Sequence, residues 1–295
     1  MLNRLHNTLD AFQLSRIGAF ADLDETRLCA AYQSVGGAGL RLDTQCDGRP
    51  LSFWMPEQSW CAWLAPQLDI PNFAAVGPAW TAVLANWTLI PLNELLQRVG
   101  LPPCDVASIH ATTAPIDVRW QFIMSADTRR LPLTILDAPW DWIQPLLHAL
   151  EPAQDQAHTL ALSLGWCTLH EDEWSEVAIG DALRIDGSGG GLDTFWLHPL
   201  RSPGRIQIQE DGTACVLDCS TGVSDVPGHM LRIDVEVGYA DIPRTDLAHW
   251  APEEPVTLQC ARHPQLRLMH GDQLVAQGRL IGWDDGWAVC VDAKV

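Results

Sequence analysis

An internal repeat in the second half of the chain constrains its fold more strongly than any other sequence feature. Residues 160–185 align with residues 233–258 at a constant offset of 73, and residues 204–218 align with residues 278–292 at an offset of 74. One residue of loop length accounts for the change of offset. Self-similarity of this kind indicates two copies of one structural module.

Each copy begins with alternating apolar residues, a pattern of period two that is typical of a β-strand. Asp234 and Glu236 alternate with the downstream apolar residues, which predicts a half-buried strand. We predict that the apolar residues form the core between the two copies, together with Leu266 and Leu268 of a later strand. The aligned apolar positions are Leu160, Leu162 and Leu164 upstream and Ile233, Val235 and Val237 downstream.

Glycine residues mark the predicted turns of both copies. The Asp285-Gly286 pair is a strong hairpin signal, because glycine accepts the positive φ that such turns require. Before its second strand the upstream copy has a Gly180-Asp181 turn, whereas the downstream copy has Pro-Glu-Glu-Pro at residues 252–255. The structural turns are predicted at Gly165, Gly212, Gly238 and Gly286.

The first half of the chain has a weaker pattern, which indicates a mixed α/β domain. Gly36, Gly37 and Gly39 are predicted to end the first two helices, and Pro91 to break or kink a later one. We predict helices in residues 2–12, 23–32, 57–64, 81–99 and 140–150, and strands in residues 40–44, 51–54, 118–124 and 131–136. With candidate linkers at residues 151–158 and 220–229, the predicted domains are residues 1–150, 158–220 and 230–295.

The charge balance excludes several classes of partner. The chain has 18 Lys and Arg residues against 37 Asp and Glu residues, and residues 151–295 hold 9 of the former against 23 of the latter, a net charge of −14. This field repels nucleic acid and anionic lipid, so basic partner surfaces are expected. The chain lacks a signal-peptide pattern and any apolar run of roughly 18 residues, which predicts a cytoplasmic protein without direct membrane insertion.

Three residue clusters resemble chemical sites, but none predicts catalysis, a metal or a cofactor. The acidic residues 171–173 beside His170 are better explained as the first turn of a short helix. Cys215 and Cys219 lack two further zinc ligands at compatible spacing. Residues 187–191, Gly-Ser-Gly-Gly-Gly, lack the Lys-Ser/Thr of a phosphate-binding loop, which favours a hairpin connection.

The order of elements in each copy resembles the SPOA module of flagellar switch proteins and type III secretion proteins. In the downstream copy this order is an alternating strand to Gly238, a turn with Leu247, a short strand at residues 256–258, an apolar strand to Met269, and the stretches GDQLVAQGRL and DGWAVCV. Two such modules at the end of a chain of this length resemble the SctQ family of type III secretion. Residues 252–255 depart from the family pattern, which usually has a glycine before the second strand.

The resemblance implies an α+β fold, in which a mixed α/β amino-terminal domain precedes two small all-β SPOA modules that form an intertwined pseudo-dimer. It implies a non-enzymatic structural subunit of the cytoplasmic sorting platform, located at the cytoplasmic face of the inner-membrane secretion apparatus. The implied partners are an SctL-type stalk or ATPase regulator, an SctK-type adaptor, the secretion ATPase complex indirectly, effector–chaperone cargo, and the chain itself or its own carboxy-terminal SPOA fragment.

Two alternatives remain open, and three residues have two interpretations each. A flagellar motor switch subunit is the alternative within the resemblance, and an enzyme with accessory β modules is the alternative of another class. Trp283 and Trp287 flank a predicted hairpin turn and belong either to the core or to a partner-facing surface. Met230 stands three residues before Ile233. It is either a candidate internal start that releases the downstream module or only a residue at the mouth of a strand.

Overall fold

The computed structural model describes residues 9–65, 67–153, 156–188, 191–197, 204–209, 212–219, 229–283 and 286–295 of the chain. The chain forms two compact units: Arg16–Ala153 make up the amino-terminal unit, and Gln154–Val295 with Met1–Ser15 make up the carboxy-terminal unit. Most of the helix predicted in residues 2–12 and most of the linker predicted in residues 220–229 lie outside the described residues. Among the helices described, none is long and apolar enough to span a lipid bilayer.

The amino-terminal unit consists of an antiparallel sheet against which helices pack. Its strands are β1 (Phe20–Asp22), β2 (Arg27–Cys46), β3 (Arg49–Met55), β4 (Cys104–Ala126) and β5 (Arg129–Asp137). Its helices are α2 (Glu57–Leu64), α3 (Pro78–Arg98) and α4 (Trp140–His148), and a short 3-10 turn covers Phe73–Ala75. Helix α1 (Ala11–Arg16) belongs, except for its last residue, to the carboxy-terminal unit.

The sheet of this unit closes on itself. β2 pairs with both β3 and β4, and β5 pairs with both β3 and β4. α2 packs against β5 and α3 against β4, and the indole nitrogen of Trp60 donates a 2.9 Å hydrogen bond to the Thr88 hydroxyl, which joins the two helices. The fully buried side chains include Leu28, Leu40, Leu42, Phe53, Leu84, Leu89 and Phe122. The unit therefore has its own apolar core.

Most predicted elements of this unit are confirmed. The strands expected in residues 40–44, 51–54, 118–124 and 131–136 lie within β2, β3, β4 and β5, and the helices expected in residues 57–64, 81–99 and 140–150 correspond to α2, α3 and α4. Pro91 lies inside α3, which continues to Arg98. Pro91 therefore does not break this helix.

The helix predicted in residues 23–32 is wrong, because Arg27 begins the long strand β2. Gly36, Gly37 and Gly39 lie inside this strand and do not end a helix. At Gly36, φ is +150° and an added Cβ atom would lie 2.6 Å from the backbone oxygen of Pro115 in β4. Pairing with the distant strand β4 decides the conformation here, and local periodicity contains no information about such a partner.

The carboxy-terminal unit consists mainly of antiparallel strands, and its described helices are short. Its strands are β6 (Ala157–His170), β7 (Ala182–Arg184), β8 (Thr194–Leu197), β9 (Arg205–Ile208), β10 (Ala214–Asp218), β11 (Met230–Pro243), β12 (Pro255–Val256), β13 (Gln259–His270), β14 (Gln273–Trp283) and β15 (Gly286–Lys294). Besides α1, its helices are α5 (Glu171–Glu176) and α6 (Arg244–Ala248). With both units sheet-rich and partly helical, the chain has an α+β fold.

The strands of the carboxy-terminal unit form one sheet in the order β12-β10-β9-β8-β6-β11-β13-β14-β15-β7. The first strands of the two copies, β6 and β11, lie side by side at its centre. Outward from this pair, each strand of one copy has its repeat counterpart at the same distance on the other side. The outermost strands are exchanged, because β12 of the downstream copy lies beside upstream strands and β7 of the upstream copy lies beside downstream strands.

Candidate functional site

The central strand pair joins the two copies along its whole length. Ala157 lies opposite Pro243 at one end, and His170 lies opposite Met230 at the other. In the 73-residue repeat, Ala157 corresponds to Met230 and His170 corresponds to Pro243, so one end pair maps onto the other. The two strands are therefore related by a pseudo-twofold axis at the middle of the pair. Val237 is only half-buried, because the strand register shifts beside it. The other predicted first-strand residues are buried: Leu160, Leu162, Leu164, Ile233 and Val235.

Both copies contribute to one apolar cluster in this unit. Leu266 and Trp287 are half-buried and pack against it. The buried members are Cys167, Leu169 and Ile185 from the upstream copy and Ile233, Val235, Leu268, Ala276, Val289 and Val291 from the downstream copy. Separation of the copies would expose this shared apolar surface to water, which opposes separation.

A buried ion pair lies in the central pair where the sequence predicts an exposed strand face. Asp234 is 5% exposed and its neighbour Val235 on the other face is fully buried, so both faces of β11 are covered here. The Nε atom of Arg232 lies 2.9 Å from Oδ1 of Asp234, and the guanidinium carbon lies 3.8 Å from the ring centroid of Trp166. Burial raises the pKa of Asp234, and the charge of Arg232 opposes this shift. The expectation of a half-buried strand is therefore wrong at this position.

Glu236 is the second buried carboxylate of the central pair, and it lies opposite Ser163. Burial raises its pKa, and the charge of Arg267 opposes this shift. The Nε2 atom of His263 lies 3.9 Å from Oε2 of Glu236, and burial lowers the pKa of this histidine. Sequence reasoning missed this buried polar group. The available signal was the run Arg-x-Asp-x-Glu at residues 232–236, alternating with apolar residues.

Gly165 and Gly238 occupy equivalent places inside β6 and β11, not at the strand ends where turns are predicted. A Cβ atom at Gly165 would overlap the backbone oxygen of Asp186, and one at Gly238 would overlap the backbone oxygen of Ala261. Both glycines therefore permit a neighbouring segment to approach the central pair closely.

At each end of the sheet, a short strand from one copy pairs with a strand of the other copy. β7 of the upstream copy pairs with β15 of the downstream copy, and β12 of the downstream copy pairs with β10 of the upstream copy. The turns before these strands are also equivalent, since Gly180 donates to the backbone oxygen of Val291 and Glu253 donates to that of Val216, both at 2.8 Å. Each copy thus supplies an edge strand to the other.

Trp283 and Trp287 lie at a cleft of about 420 Å³ beside the shared cluster. Trp283 is 48% exposed, whereas Trp287 packs against the cluster. Arg184, Asp186 and Gly286 also line the cleft. Gly286 begins β15 and pairs with Trp283, while residues 284–285 of the predicted hairpin turn lie outside the described residues. Of the two tryptophans, Trp283 offers the larger surface to a partner.

One further predicted turn and the predicted start can be placed from the described residues. Gly212 has a φ of +84° and precedes β10, which fits a turn that favours glycine. Met230 begins β11 and pairs with His170 of the other copy. Met230 is therefore part of the strand interface and stands directly at the start of the downstream copy.

The acidic residues after β6 form the first turn of a helix, as predicted. Glu171, Asp172 and Glu173 begin α5, and His170 caps it while the Glu173 carboxylate accepts a 2.7 Å hydrogen bond from the His170 backbone nitrogen. At the other end of α5, the ammonium of Lys294 donates 2.9 Å hydrogen bonds to the backbone oxygen atoms of Trp174 and Val177. The exposed first turn of α5 is a concentrated negative surface of this unit.

The chemical-looking clusters of the sequence show no assembled reaction centre in the described part of the chain. No group of three His, Cys, Asp or Glu side chains there could hold a metal ion. Cys215 is half-buried and Cys219 exposed, and both are free thiols. Burial raises the pKa of Cys167 to about 12, so its thiol stays protonated at neutral pH. Of the predicted loop 187–191, residues 189–190 lie outside the described residues.

Two comparisons with known proteins identify similar chains. Residues 15–146 match the family described as SepQ protein N-terminal domain. The chain is also similar to the secretion system apparatus protein SsaQ of Salmonella typhimurium strain LT2, with 22% identity over 258 residues that cover 77% of this chain and 78% of the relative. An alignment of that length exceeds either compact unit, so this similarity extends over parts of both.

Proposed function

We propose that this chain, which its two matches assign to the SctQ family of type III secretion proteins, is a non-enzymatic structural subunit of the cytoplasmic sorting platform. The observation that carries the proposal is the similarity to SsaQ, a protein named for the secretion apparatus, over parts of both units. In this proposal the subunit lies at the cytoplasmic face of the inner-membrane secretion apparatus and connects other proteins of the apparatus without catalysing a reaction.

The two repeat copies are, in this proposal, SPOA modules at residues 158–220 and 230–295 that form an intertwined pseudo-dimer, with residues 1–150 as the platform domain. The reciprocal pairing of β7 with β15 and of β12 with β10 supports this interpretation. A short strand that completes the neighbouring copy hides an edge that would otherwise invite pairing with other chains. One chain therefore contains the equivalent of a module dimer.

We further propose that the paired modules bind an SctL-type stalk and that the amino-terminal unit binds an SctK-type adaptor. The secretion ATPase joins indirectly through the stalk, and effector–chaperone cargo binds the assembled platform. The net charge of −14 in residues 151–295, concentrated partly at α5, would attract a basic segment of the stalk. Trp283 would supply an apolar contact next to that charge.

The test is co-purification from the native locus with a tagged full-length chain. Stalk and adaptor proteins of the same secretion system are expected to co-purify, and stalk binding should weaken strongly as salt rises from low to high concentration. A variant with Glu171→Gln, Asp172→Asn and Glu173→Gln should no longer bind the stalk protein but should still bind the adaptor. A variant with Glu253→Gln and Glu254→Gln, which removes two charges elsewhere in the same unit, is the control and should still bind both. Absence of both partners from the wild-type sample would refute the proposed function.

Met230 is proposed as an internal start that yields the downstream module alone. The product would begin at β11 and contain its own β12 and β15, but it would lack β6 and β7, with which β11 and β15 pair. It should therefore bind a second module to recover both pairings. A Met230→Leu codon change should remove a product of about 66 residues, as counted from the sequence, in an immunoblot of the native locus with a carboxy-terminal tag, and the full-length protein should remain. Absence of this product in the wild type would refute the proposed start.

A further inference from the structure

Helix α3 of the amino-terminal unit presents an apolar surface to solvent. Its exposed large apolar side chains, which we call the α3 stripe, are Trp80, Val83, Trp87 and Ile90. Trp80 is 55% exposed and Ile90 58%. The core of the unit uses other residues of α3, which include Leu84, Leu89, Leu92 and Leu96. The stripe is therefore a second apolar face of this helix, and an exposed surface with two tryptophans is typical of a protein interface.

A cleft lies at each end of the α3 stripe, and carboxylates line both clefts. Ile90 lines the larger cleft, of about 750 Å³, together with Glu25 and Asp127. Trp80 lines the smaller cleft, of about 310 Å³, together with Asp69. Trp80 and Ile90 are about 15 Å apart along α3, given a rise of about 1.5 Å per residue. The stripe is therefore an apolar surface with negative charge at both ends.

The segment that forms α2 and α3 contains no cation. Residues 50–97 have no Lys, Arg or His residue, and their charged residues are Glu57, Asp69 and Glu94. A partner helix that covers the α3 stripe therefore meets no positive charge on α3 before Arg98. The charges that such a partner needs in order to match this surface are positive.

Arg129 also lines the larger cleft, but contacts within the unit occupy its guanidinium. This group lies 5.4 Å from the ring centroid of Trp63, donates a 3.1 Å hydrogen bond to the Trp63 backbone oxygen, and lies 3.5 Å from the Asp127 carboxylate. In the described part of the chain, no cation forms an ion pair with Glu25 or Asp69. Each end of the stripe thus has one carboxylate that is available to a cation of a partner.

We infer that the α3 stripe binds an amphipathic helix of another protein, with a Lys or Arg residue at each end of the apolar face of that helix. Its apolar side chains cover the stripe, and its cations approach Asp69 at one end and Glu25 at the other. The length of the stripe requires at least three helical turns, with the two cations about ten or more residues apart. The inference rests on the proposed function, in which the adaptor that binds the amino-terminal unit supplies this helix.

Charge selects a basic helix over other occupants. A second copy of the chain would bring a net charge of −19 and the same acidic ends to the stripe, which opposes that pairing. Anionic lipid and nucleic acid meet the same repulsion. A basic helix is attracted at both ends of the stripe and buries the two tryptophans between them. Because the contact is one helix face of about three turns, we expect a reversible complex of about micromolar affinity.

Fluorescence anisotropy of a labelled synthetic peptide with the full-length chain tests the chemistry of this site. The peptide is an amphipathic helix of about 18 residues, with leucines on one face and an arginine at each end of that face. The wild-type chain should bind it with a Kd of about 10 μM at low salt. The same peptide with glutamate in place of both arginines should bind at least about tenfold more weakly. Absence of binding, or equal affinity for the two peptides, would overturn the inference.

A tryptophan variant locates the peptide on the α3 stripe. Trp80→Ser combined with Trp87→Ser should weaken binding of the arginine peptide by about tenfold or more, because the indoles supply most of the exposed apolar area. Ile116→Ser is the matched control, since Ile116 is 68% exposed in β4 of the same unit and lies outside the stripe. This control should bind as the wild type does, and undiminished binding by the tryptophan variant contradicts the inference.

A carboxylate variant tests the two acidic ends without removing apolar surface. Glu25→Gln combined with Asp69→Asn should bind the two peptides with nearly equal affinity. Asp47→Asn combined with Asp137→Asn removes the same charge from two other exposed residues of the unit and should keep the preference for arginine. Circular dichroism should show that all variants melt as the wild type does. If the tryptophan variant melts earlier, the carboxylate variant still decides, and retention of its preference for arginine overturns the inference.

Co-purification from the native locus tests the partner. The variant with Trp80→Ser and Trp87→Ser should lose the adaptor and keep the stalk. If this variant keeps the adaptor, the inference fails and the proposed function stands. If the wild type also lacks the adaptor, the proposed function fails in that part, and the peptide measurements decide on the site alone. A wild-type dimer in sedimentation equilibrium that this variant abolishes would identify a second copy as the occupant and overturn the inference.

Discussion

The strands β6 and β11 are repeat counterparts that lie side by side, yet their polar residues differ. At the centre of β6, the hydroxyl oxygen of Ser163 lies 2.7 Å from the backbone oxygen of Gly165 and 3.1 Å from that of Val235, and its single proton can be donated to either one. At the equivalent place in β11 stands Glu236, a buried carboxylate whose pKa is raised. The two strands thus share apolar positions and differ in buried charge.

This difference indicates how the chain selects the pairing of its modules. Ser163 and Glu236 lie opposite each other, so the observed pairing sets one carboxylate against a neutral hydroxyl. If two downstream modules paired in the same way, Glu236 would face Glu236 of the partner, and two buried like charges would destabilise that pairing. The apolar repeat therefore specifies the topology, and the polar residues favour the mixed pair over a downstream homodimer.

The largest expected effect is a difference in stability between aspartate substitutions at Val235 and at Val237 of β11. Val235→Asp places a charge at a fully buried position and should lower the free energy of unfolding by about 3–5 kcal/mol. Val237→Asp, at a half-buried position beside the register shift, should cost about 1 kcal/mol. Urea unfolding of the full chain measures both. Equal costs would show that the two positions share one environment, contrary to the described burial.

The second prediction concerns the downstream module alone, residues 230–295. Glu236→Ser should strengthen its homodimer by about tenfold or more, because serine removes two facing carboxylates from the new interface. Sedimentation equilibrium of the fragment at pH 7 measures the change, and Glu254→Ser, at an exposed position, is the matched control. If Glu236→Ser weakens the homodimer, the carboxylate is not what limits this pairing.

The third prediction compares the two turns that precede the exchanged strands. Glu253 has a φ of +70° where the upstream copy has Gly180 with a φ of +99°. Glu253→Gly should therefore stabilise the chain by about 1 kcal/mol, and Gly180→Glu should destabilise it by about 1–2 kcal/mol. Glu254→Gly is the control, because the backbone of Glu254 is not left-handed, and it should not stabilise the chain. Thermal melts of the three variants check the order, which a stabilising Gly180→Glu would contradict.

The smallest expected effect is a dependence of stability on pH. Burial raises the pKa values of Asp234 and Glu236 in the folded chain, so the folded state holds protons that the unfolded state has released. Their contribution to stability therefore falls as pH rises from the ordinary carboxyl range through the raised values. Glu236→Gln should flatten this part of the curve in urea unfolding between pH 4 and 8. An unchanged slope would mean that Glu236 does not take up a proton on folding.

The sequence predicted the order of elements in the two modules, because the repeat and the alternation of apolar residues are local patterns. It did not predict the burial of Asp234. Alternation with period two is typical of a strand with one solvent-exposed face, whereas both faces of β11 are covered at Asp234. Turns were predicted at Gly165 and Gly238 because a glycine at the end of an alternating run usually marks a turn. In the structure, these glycines instead allow the backbone of a neighbouring segment to approach closely. β2 was missed in part because its partner β4 is distant in sequence.

The exchange of edge strands is the clearest example of information beyond local sequence. β7 and β12 contain three and two residues, which is too short for a periodic signal. Local sequence patterns contain no signal for the exchange of these strands. The pairings of these strands with β15 and β10 rest on backbone hydrogen bonds, which any residue except proline can donate.

Cleavage of the chain between its two copies tests the account most directly. A recognition sequence for a specific protease is placed at residues 220–228, the cleaved chain is passed over a sizing column under native conditions, and its melting is compared with that of the uncut protein. Reciprocal strand exchange and a shared core predict that the two fragments elute together at the position of the uncut chain and melt in one transition. Elution of two separate folded fragments would contradict the account, because it would show that each copy completes its own sheet and core.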